Sequence, residues 1–284
     1  MVENRPYLKY FTHLVLIAGV VCVFFPIWIA FVASTHAPNE LLTAPVPWLP
    51  GSWDNFVANY SEILLQGFSG SSSVSVLKMM INSMIMALSI AIGKISISIL
   101  AAYAIVYFKF PFRMTVFWIV FMTLMLPVEV RIVPTYAVIA NLGLLNSYAG
   151  LSIPLIASAT ATFLFRQFFL TIPKELVEAA KMDRAGPIRF FKDILLPLSR
   201  TNLAALFVIL FTYGWNQYLW PLLVTSDQSY STIVVSIQKM MTAADAEPQW
   251  HLIMATSVLA MIPPVIVVIL MQKAFVKGLV ETEK

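Results

Sequence analysis

The chain has 284 residues, of which 60% are hydrophobic and 11% charged, with a mean hydropathy of +0.83 and a formal net charge of +4. A soluble domain carries about 25% charged residues, so these proportions exclude an ordinary water-soluble fold and place the chain in a lipid bilayer. The single cysteine, Cys22, lies in the first apolar run and rules out a disulfide framework; the basic residues flank apolar runs without any nucleic-acid motif, so the positive balance reads as membrane topology.

Six apolar stretches are long enough to cross a bilayer, at 12–34, 77–107, 113–139, 149–170, 202–224 and 252–275. Backbone groups in hydrocarbon must be satisfied within the segment, so an all-α membrane protein with six transmembrane helices is expected. The first run exceeds the apolar core of a signal peptide and reads as an uncleaved span. A polar segment of roughly 40 residues follows, with Pro38, Pro45, Pro47 and Pro50 at its start. Within it, Trp53 to Leu65 predicts a short amphipathic helix started by Ser52 or Asp54. The linear organisation is thus a first span and loop over 1–76, a core of five spans over 77–276, and a tail at 277–284.

Lysine and arginine counts orient the spans. Arg5 and Lys9, then Lys109 and Arg113, then the seven basic residues from Arg166 to Arg200, then Lys273, Lys277 and Lys284 alternate with loops that hold almost no lysine or arginine. Basic loops stay in the cytoplasm, so both termini are expected there. Trp28, Trp48, Trp118, Trp215, Trp220 and Trp250 fall near predicted ends and read mostly as interface anchors.

The longest basic loop, 171–198, predicts a helix–turn–helix. Pro173 suits a first turn, and Glu175 and Lys181 complement the helix dipole. Leu176, Val177 and Ala180 share one face, while Glu178, Ala179 and Asp183 form a small, charged one. Gly186-Pro187 ends this helix and starts a second, in which Ile188, Phe190, Phe191, Ile194 and Leu195 lie on one side and Pro197 closes the segment.

This segment resembles the coupling loop of the permease subunits of bacterial ATP-binding-cassette (ABC) importers. The family pattern is Glu-Ala-Ala, three residues, Gly, nine residues, Ile, any residue, Leu-Pro. Glu178, Ala179, Ala180, Ile194, Leu196 and Pro197 match it, whereas Arg184 stands at the pattern's glycine, and Gly186 is expected to take over the turn. The resemblance covers nearly the whole chain and is to carbohydrate-importer permeases of the maltose type, through the stretch Trp215 to Pro221 (WNQYLWP). Thr123 to Arg131 and Ala159 to Phe169 are similar to permeases for sn-glycerol-3-phosphate.

What the resemblance implies is a type I ABC importer permease fold and a division of labour. This chain and a second, different permease chain form the channel. Two copies of a cytoplasmic ATP-binding subunit receive the elbows, with Glu178, Ala179, Ala180, Asp183, Arg184 and Gly186 as coupling residues, and a periplasmic binding protein delivers the solute. ATP and Mg sit on the partner subunits; this chain has no Gly-x-x-x-x-Gly-Lys-Ser/Thr phosphate loop, binds no cofactor and is no enzyme by itself. The implied solute is sn-glycerol-3-phosphate or a related glycerophosphodiester, the alternative a neutral sugar or oligosaccharide. A self-sufficient channel or secondary transporter leaves the loop spacing unexplained.

Away from the span ends, three charged residues fall inside predicted spans: Lys94, Glu129 and Arg131. Each costs roughly 2.5–3.5 kcal/mol near the bilayer centre, so they face the interior. Counted from Lys109 and Arg113, Lys94 and Glu129 lie at a similar depth of about 22–24 Å, which permits a pair and leaves Arg131 as surplus positive charge. Two readings stay open: the three hold spans two and three together, or Arg131 with Lys94 meets an anionic phosphate solute. Trp215, Asn216, Gln217 and Tyr218 form a second polar-aromatic cluster, suited to polyols or to interhelical hydrogen bonds.

Overall fold

The structure, a computed structural model, describes residues 6–42, 45, 47–66, 74–123, 128–242 and 248–281, with the side chains of 6–8, 66, 128–129 and 273–281 outside that description. The described residues form helices and connecting turns, with no strand, and the described parts of the six predicted spans are mostly helical.

One compact unit gathers Met1–Lys78 with Ser236–Ile262. Its first helix, α1 (Pro6–Ser34), is apolar on all sides, as a helix solvated by lipid has to be. The end of α1 is closed by the polar segment that follows. Helix α2 (Trp53–Ser61) starts at Ser52, whose hydroxyl accepts from the Asn55 amide, and runs on as one wide turn over Glu62–Gln66. From α2 the Asn59 amide donates to the carbonyls of Ser34 and His36 at 2.9 and 3.0 Å, satisfying acceptors that a helix terminus leaves open. Tyr60 meets the Ser34 hydroxyl at 3.0 Å; burial raises the Tyr60 phenol above its ordinary value, partly offset by that bond. Gly51 crosses directly over the Thr35 carbonyl, where any Cβ would collide with backbone.

The second unit comprises Met79–Val235 and Pro263–Lys284. After α2 the chain continues with α3 (Val76–Tyr107), α4 (Arg113–Met122), α5 (Val128–Asn141), α6 (Tyr148–Ile156), α7 (Ala159–Thr171), α8 (Lys174–Met182), α9 (Pro187–Phe190), α10 (Arg200–Trp215), α11 (Leu219–Val224), α12 (Ile233–Met241) and α13 (Trp250–Glu281), of which most of α12 and the start of α13, up to Ile262, belong to the first unit. Among the described residues, three single helices are long and apolar enough to cross a membrane. These are Lys9–Ser34, Val76–Tyr107 and Trp250–Gln272.

Two of the remaining spans are not single rods. The fourth is α6 and α7 bent by 46°: the chain is extended at Ala157, and the Ser158 hydroxyl caps α7 through the Ala161 amide. In the third, α4 and α5 are described and 124–127 lie outside the described residues. The fifth, expected as one helix over 202–224, stops at Trp215 and restarts at Leu219. Pro221 accounts for this break, since it has no N–H to donate and its ring would strike the Gln217 carbonyl in a continuous helix.

Met86, Ile90, Ile139, Leu151, Trp220 and Val224 form the buried core of this unit. At Gly214 an added Cβ would stand 2.9 Å from the Ala87 Cα, so glycine lets the α10 and α3 backbones touch, as small residues do in membrane bundles. Asn82, fully buried, locks the segment after α11: its amide donates to the carbonyls of Ser229 (2.8 Å) and Ser231 (2.9 Å), and its oxygen accepts from the Tyr148 hydroxyl (2.8 Å). The Asn146 side-chain oxygen accepts from the amides of Ser226 and Asp227, both at 2.8 Å.

Trp215 and Trp220, expected in the interface belt, are packed inside the protein instead. Trp215 stacks on Phe211 at 5.9 Å, and the Trp220 indole donates to the Gly150 carbonyl at 3.1 Å. A buried indole needs such an acceptor.

Candidate functional site

Two features concentrate the polar chemistry of the second unit: the elbow between α7 and α10, and a cavity among α3, α5, α6 and the break after α10.

The first arm of the elbow is α8. Glu178 and Ala179 are exposed while Ala180 is 5% exposed, so the alanine pair straddles the boundary between the outer and inner faces. Leu176, expected on the packed face, is exposed, and Val177 is half-buried. The arm ends in a tight left-handed closure. The Ala185 amide donates to the Ala180 carbonyl at 2.9 Å and the Arg184 amide to the Lys181 carbonyl at 3.0 Å, the bond pair of a Schellman motif. Its left-handed residue is Arg184, with φ +52°.

That geometry corrects the expectation that Gly186 takes over the turn. Gly186 is extended, at φ −67° and ψ 167°, and precedes Pro187 at the start of the second arm. Position 184 needs the left-handed conformation for which the family pattern carries glycine, and arginine adopts it at a cost of about 1 kcal/mol. Arg184→Gly is therefore expected to slow hydrogen exchange of the Arg184 and Ala185 amides about five-fold, equivalent to about 1 kcal/mol, with solute uptake retained. Faster exchange in the variant would contradict this account of the turn.

The second arm is helical from Pro187 to Leu198 and meets α10 at 72°. It widens to one π turn over Phe191–Leu195, where the Leu196 amide reaches back to the Phe191 carbonyl; Pro197 has no amide to continue the normal ladder. Phe190 and Leu195 are buried. Ile188, expected beside them, is 82% exposed, and with Met182 at 79% it leaves an uncovered apolar rim at the turn. Asp183 is exposed as well.

The arm is clamped to the end of α3. The Tyr103 hydroxyl donates to the Pro187 carbonyl at 2.9 Å, and the Tyr103 ring lies 5.1 Å from that of Phe191. Tyr107 lies 5.3 Å from Phe190 and donates to the Phe169 carbonyl at 3.3 Å. Offset and edge-on ring pairs of this kind contribute about 0.5–1.5 kcal/mol each beyond burial. The elbow is thus fixed to the helix that also carries Lys94.

The cavity has a volume of about 240 Å³ and is lined by Lys94, Arg131, Ile132, Thr135, Leu155, Tyr213, Gln217 and Trp220, among others. Lys94 is 7% exposed, and its ammonium lies 3.9 Å from the Tyr213 ring centroid, within cation–π range. Arg131 is exposed. The cavity is therefore lined by a buried cation from α3 and an exposed one from α5. The suggested Lys94–Glu129 pair lies outside the described residues, because the Glu129 side chain does.

Of the second cluster, the cavity takes Gln217 and not Trp215, Asn216 or Tyr218. Trp215 is buried against Phe211, while Asn216 and Tyr218 are exposed to either side of the helix break. Gln217 donates to the Tyr213 carbonyl at 3.2 Å, satisfying an acceptor that the end of α10 leaves open. Tyr213 and Thr135 were not singled out by sequence. Tyr213 lies one helical turn before Gln217, and Thr135 one turn after Arg131, donating to the Arg131 carbonyl at 2.7 Å.

Comparison with known proteins shows the family of the chain as a whole. The family of binding-protein-dependent transport system inner membrane components matches residues 94–281. The chain is 59% identical, over its whole length and that of the relative, to the sn-glycerol-3-phosphate transport system permease protein UgpE of Agrobacterium fabrum. It is 58% and 56% identical, again end to end, to the proteins of that name from Rhizobium meliloti and Yersinia pestis. In fold it is similar to a chain of a bacterial ABC transporter involved in the import of the acidic polysaccharide alginate, seen in a crystal structure. The TM-score there is 0.82 over 97% of this chain and 99% of that one, at 20% identity. Elbow, bundle and whole-length similarity lead to one conclusion: the chain belongs to the inner membrane components of binding-protein-dependent transport systems, the permeases of ABC importers.

Proposed function

We propose that this permease forms one half of a translocation channel for sn-glycerol-3-phosphate or related glycerophosphodiesters, the other half being a second, different permease chain. Each half presents its elbow to one of two copies of a cytoplasmic ATP-binding subunit, and a periplasmic binding protein delivers the solute. ATP and Mg belong to the ATP-binding subunits, and both termini of this chain face the cytoplasm.

The observation that carries the reading is the elbow. Its outer face offers Glu178, Ala179, Met182 and Ile188, while its second arm is riveted to α3 by the Tyr103–Pro187 hydrogen bond and the ring cluster. Small alanine side chains let a partner's backbone approach closely, and the exposed apolar rim supplies contact area. A push on the elbow is transmitted to a helix that reaches the cavity. The names of the full-length relatives favour a phosphorylated polyol as cargo, and two cations lining one cavity are compatible with it.

Reconstituting the permease pair with its ATP-binding subunits and binding protein tests the cargo. ATP hydrolysis is expected to rise several-fold with binding protein loaded with sn-glycerol-3-phosphate, and not with protein exposed to a neutral disaccharide. A response to the disaccharide alone would replace this cargo by the neutral-sugar alternative.

A further inference from the structure

The cavity has a chemistry more specific than a polar passage, and its parts divide into two groups. Lys94 and Arg131 supply positive charge and N–H donors. Gln217 and Thr135 supply acceptors: the Gln217 amide nitrogen is engaged by the Tyr213 carbonyl and the Thr135 hydroxyl proton by the Arg131 carbonyl, which turns the Gln217 Oε1 and the Thr135 oxygen lone pairs to other donors. Lys94 is the unusual member. It is more than nine-tenths buried, and among the described residues its contact is the face of Tyr213. A ring face attracts an ammonium but carries no net charge, and Arg131 adds a second cation to the same cavity. A buried ammonium beside a second cation favours an anionic counterpart in the cavity that both line.

We infer that Lys94 and Arg131 form a phosphate site in the transport cavity, with Gln217 and Thr135 accepting from the hydroxyls of the polyol attached to that phosphate. This inference rests on the cargo proposed above and assigns its recognition within the membrane to this chain. A phosphate monoester carries about −1.5 to −2 charge near neutral pH, matching two cations. The guanidinium of Arg131 offers two parallel donors to phosphate oxygens, while Lys94 acts as a point charge behind them. A cavity of 240 Å³ holds about eight waters at roughly 30 Å³ each, which a small phosphorylated polyol would displace.

The test uses the whole importer in proteoliposomes, with labelled sn-glycerol-3-phosphate and two readouts: solute delivered per ATP hydrolysed, and stimulation of hydrolysis by loaded binding protein. Arg131→Gln is the first variant, because an exposed residue tolerates replacement without loss of assembly. Solute per ATP is expected to fall about ten-fold while stimulation persists, and Arg131→Lys should recover part of it. Lys94→Met should behave like Arg131→Gln, and Lys94→Arg should lose less. Wild-type solute-to-ATP ratios in Arg131→Gln would overturn the site. So would an equal loss of both readouts together with loss of assembly, which would make these cations structural. If the unaltered importer moves a neutral disaccharide but not sn-glycerol-3-phosphate, the cargo itself falls; normal uptake with unaffected variants removes only the phosphate site.

Discussion

Glu178→Lys is expected to abolish solute uptake and release the ATP-binding subunits on purification, while the permease still inserts at normal levels. The separation of effects follows from position. Glu178 is exposed on α8, beside exposed Ala179, whereas the contacts that hold the elbow to the bundle run through Ala180, Phe190, Tyr103 and Tyr107 on the other side. Reversing a charge at the centre of a docking face costs on the order of 3 kcal/mol or more, about 100-fold in affinity. Co-purification of the subunits measures this directly. Uptake lost with docking intact would place the residue in some later step. A variant that docks and transports normally would remove α8 from the interface.

The second large effect is expected at Asn82, far along the chain from the elbow. Asn82→Leu keeps the size and apolar surroundings but removes two donors and an acceptor, leaving the carbonyls of Ser229 and Ser231 without the amide that holds them. A buried acceptor deprived of its donor costs about 1–3 kcal/mol, so the pair puts the loss at about 3 kcal/mol or more. The segment 225–233 should then become open to protease, and the thermal midpoint of the detergent-solubilised complex should fall on the order of 5–10 °C. An unchanged midpoint with the segment still protected would mean that Asn146 and the Ser83 hydroxyl, which accepts from the Ile233 amide at 2.8 Å, hold it without Asn82.

Much of the architecture was legible because the bilayer narrows the choices. Apolar run lengths place the helices, and of the two candidate starts of α2, Ser52 and Asp54, it is the Ser52 hydroxyl that caps it. What the pattern missed is instructive. Pro221 stood in plain view inside a predicted span, yet the span was read straight through, because hydropathy averages over the four residues where a proline acts. Trp215 and Trp220 were read by residue type as belt residues, but type alone does not distinguish a ring at the lipid interface from one whose N–H finds a carbonyl in the core.

The elbow shows a different limit. Spacing located it, and the departure at Arg184 was visible, but the conclusion that Gly186 inherits the turn assumed that the left-handed position follows the glycine. It follows the hydrogen-bond pattern instead: the closure from Ala185 to Ala180 demands a positive φ at 184 whatever residue stands there. Ile188 was assigned inward by helical periodicity, which fails where the arm is a single α turn running into a π turn. In the cavity, the cations were found from their cost in lipid. Their neighbours Tyr213 and Thr135 were not, since a tyrosine or threonine in an apolar run carries no comparable penalty.

The central claim is that this chain is a driven channel half, moved through its elbow by a nucleotide-hydrolysing partner. Uptake of labelled sn-glycerol-3-phosphate into liposomes should be compared for the permease pair alone and for the pair with its ATP-binding subunits, binding protein and ATP. Accumulation is expected only in the complete, ATP-supplied system. Equal uptake by the pair alone, without nucleotide, would contradict the account.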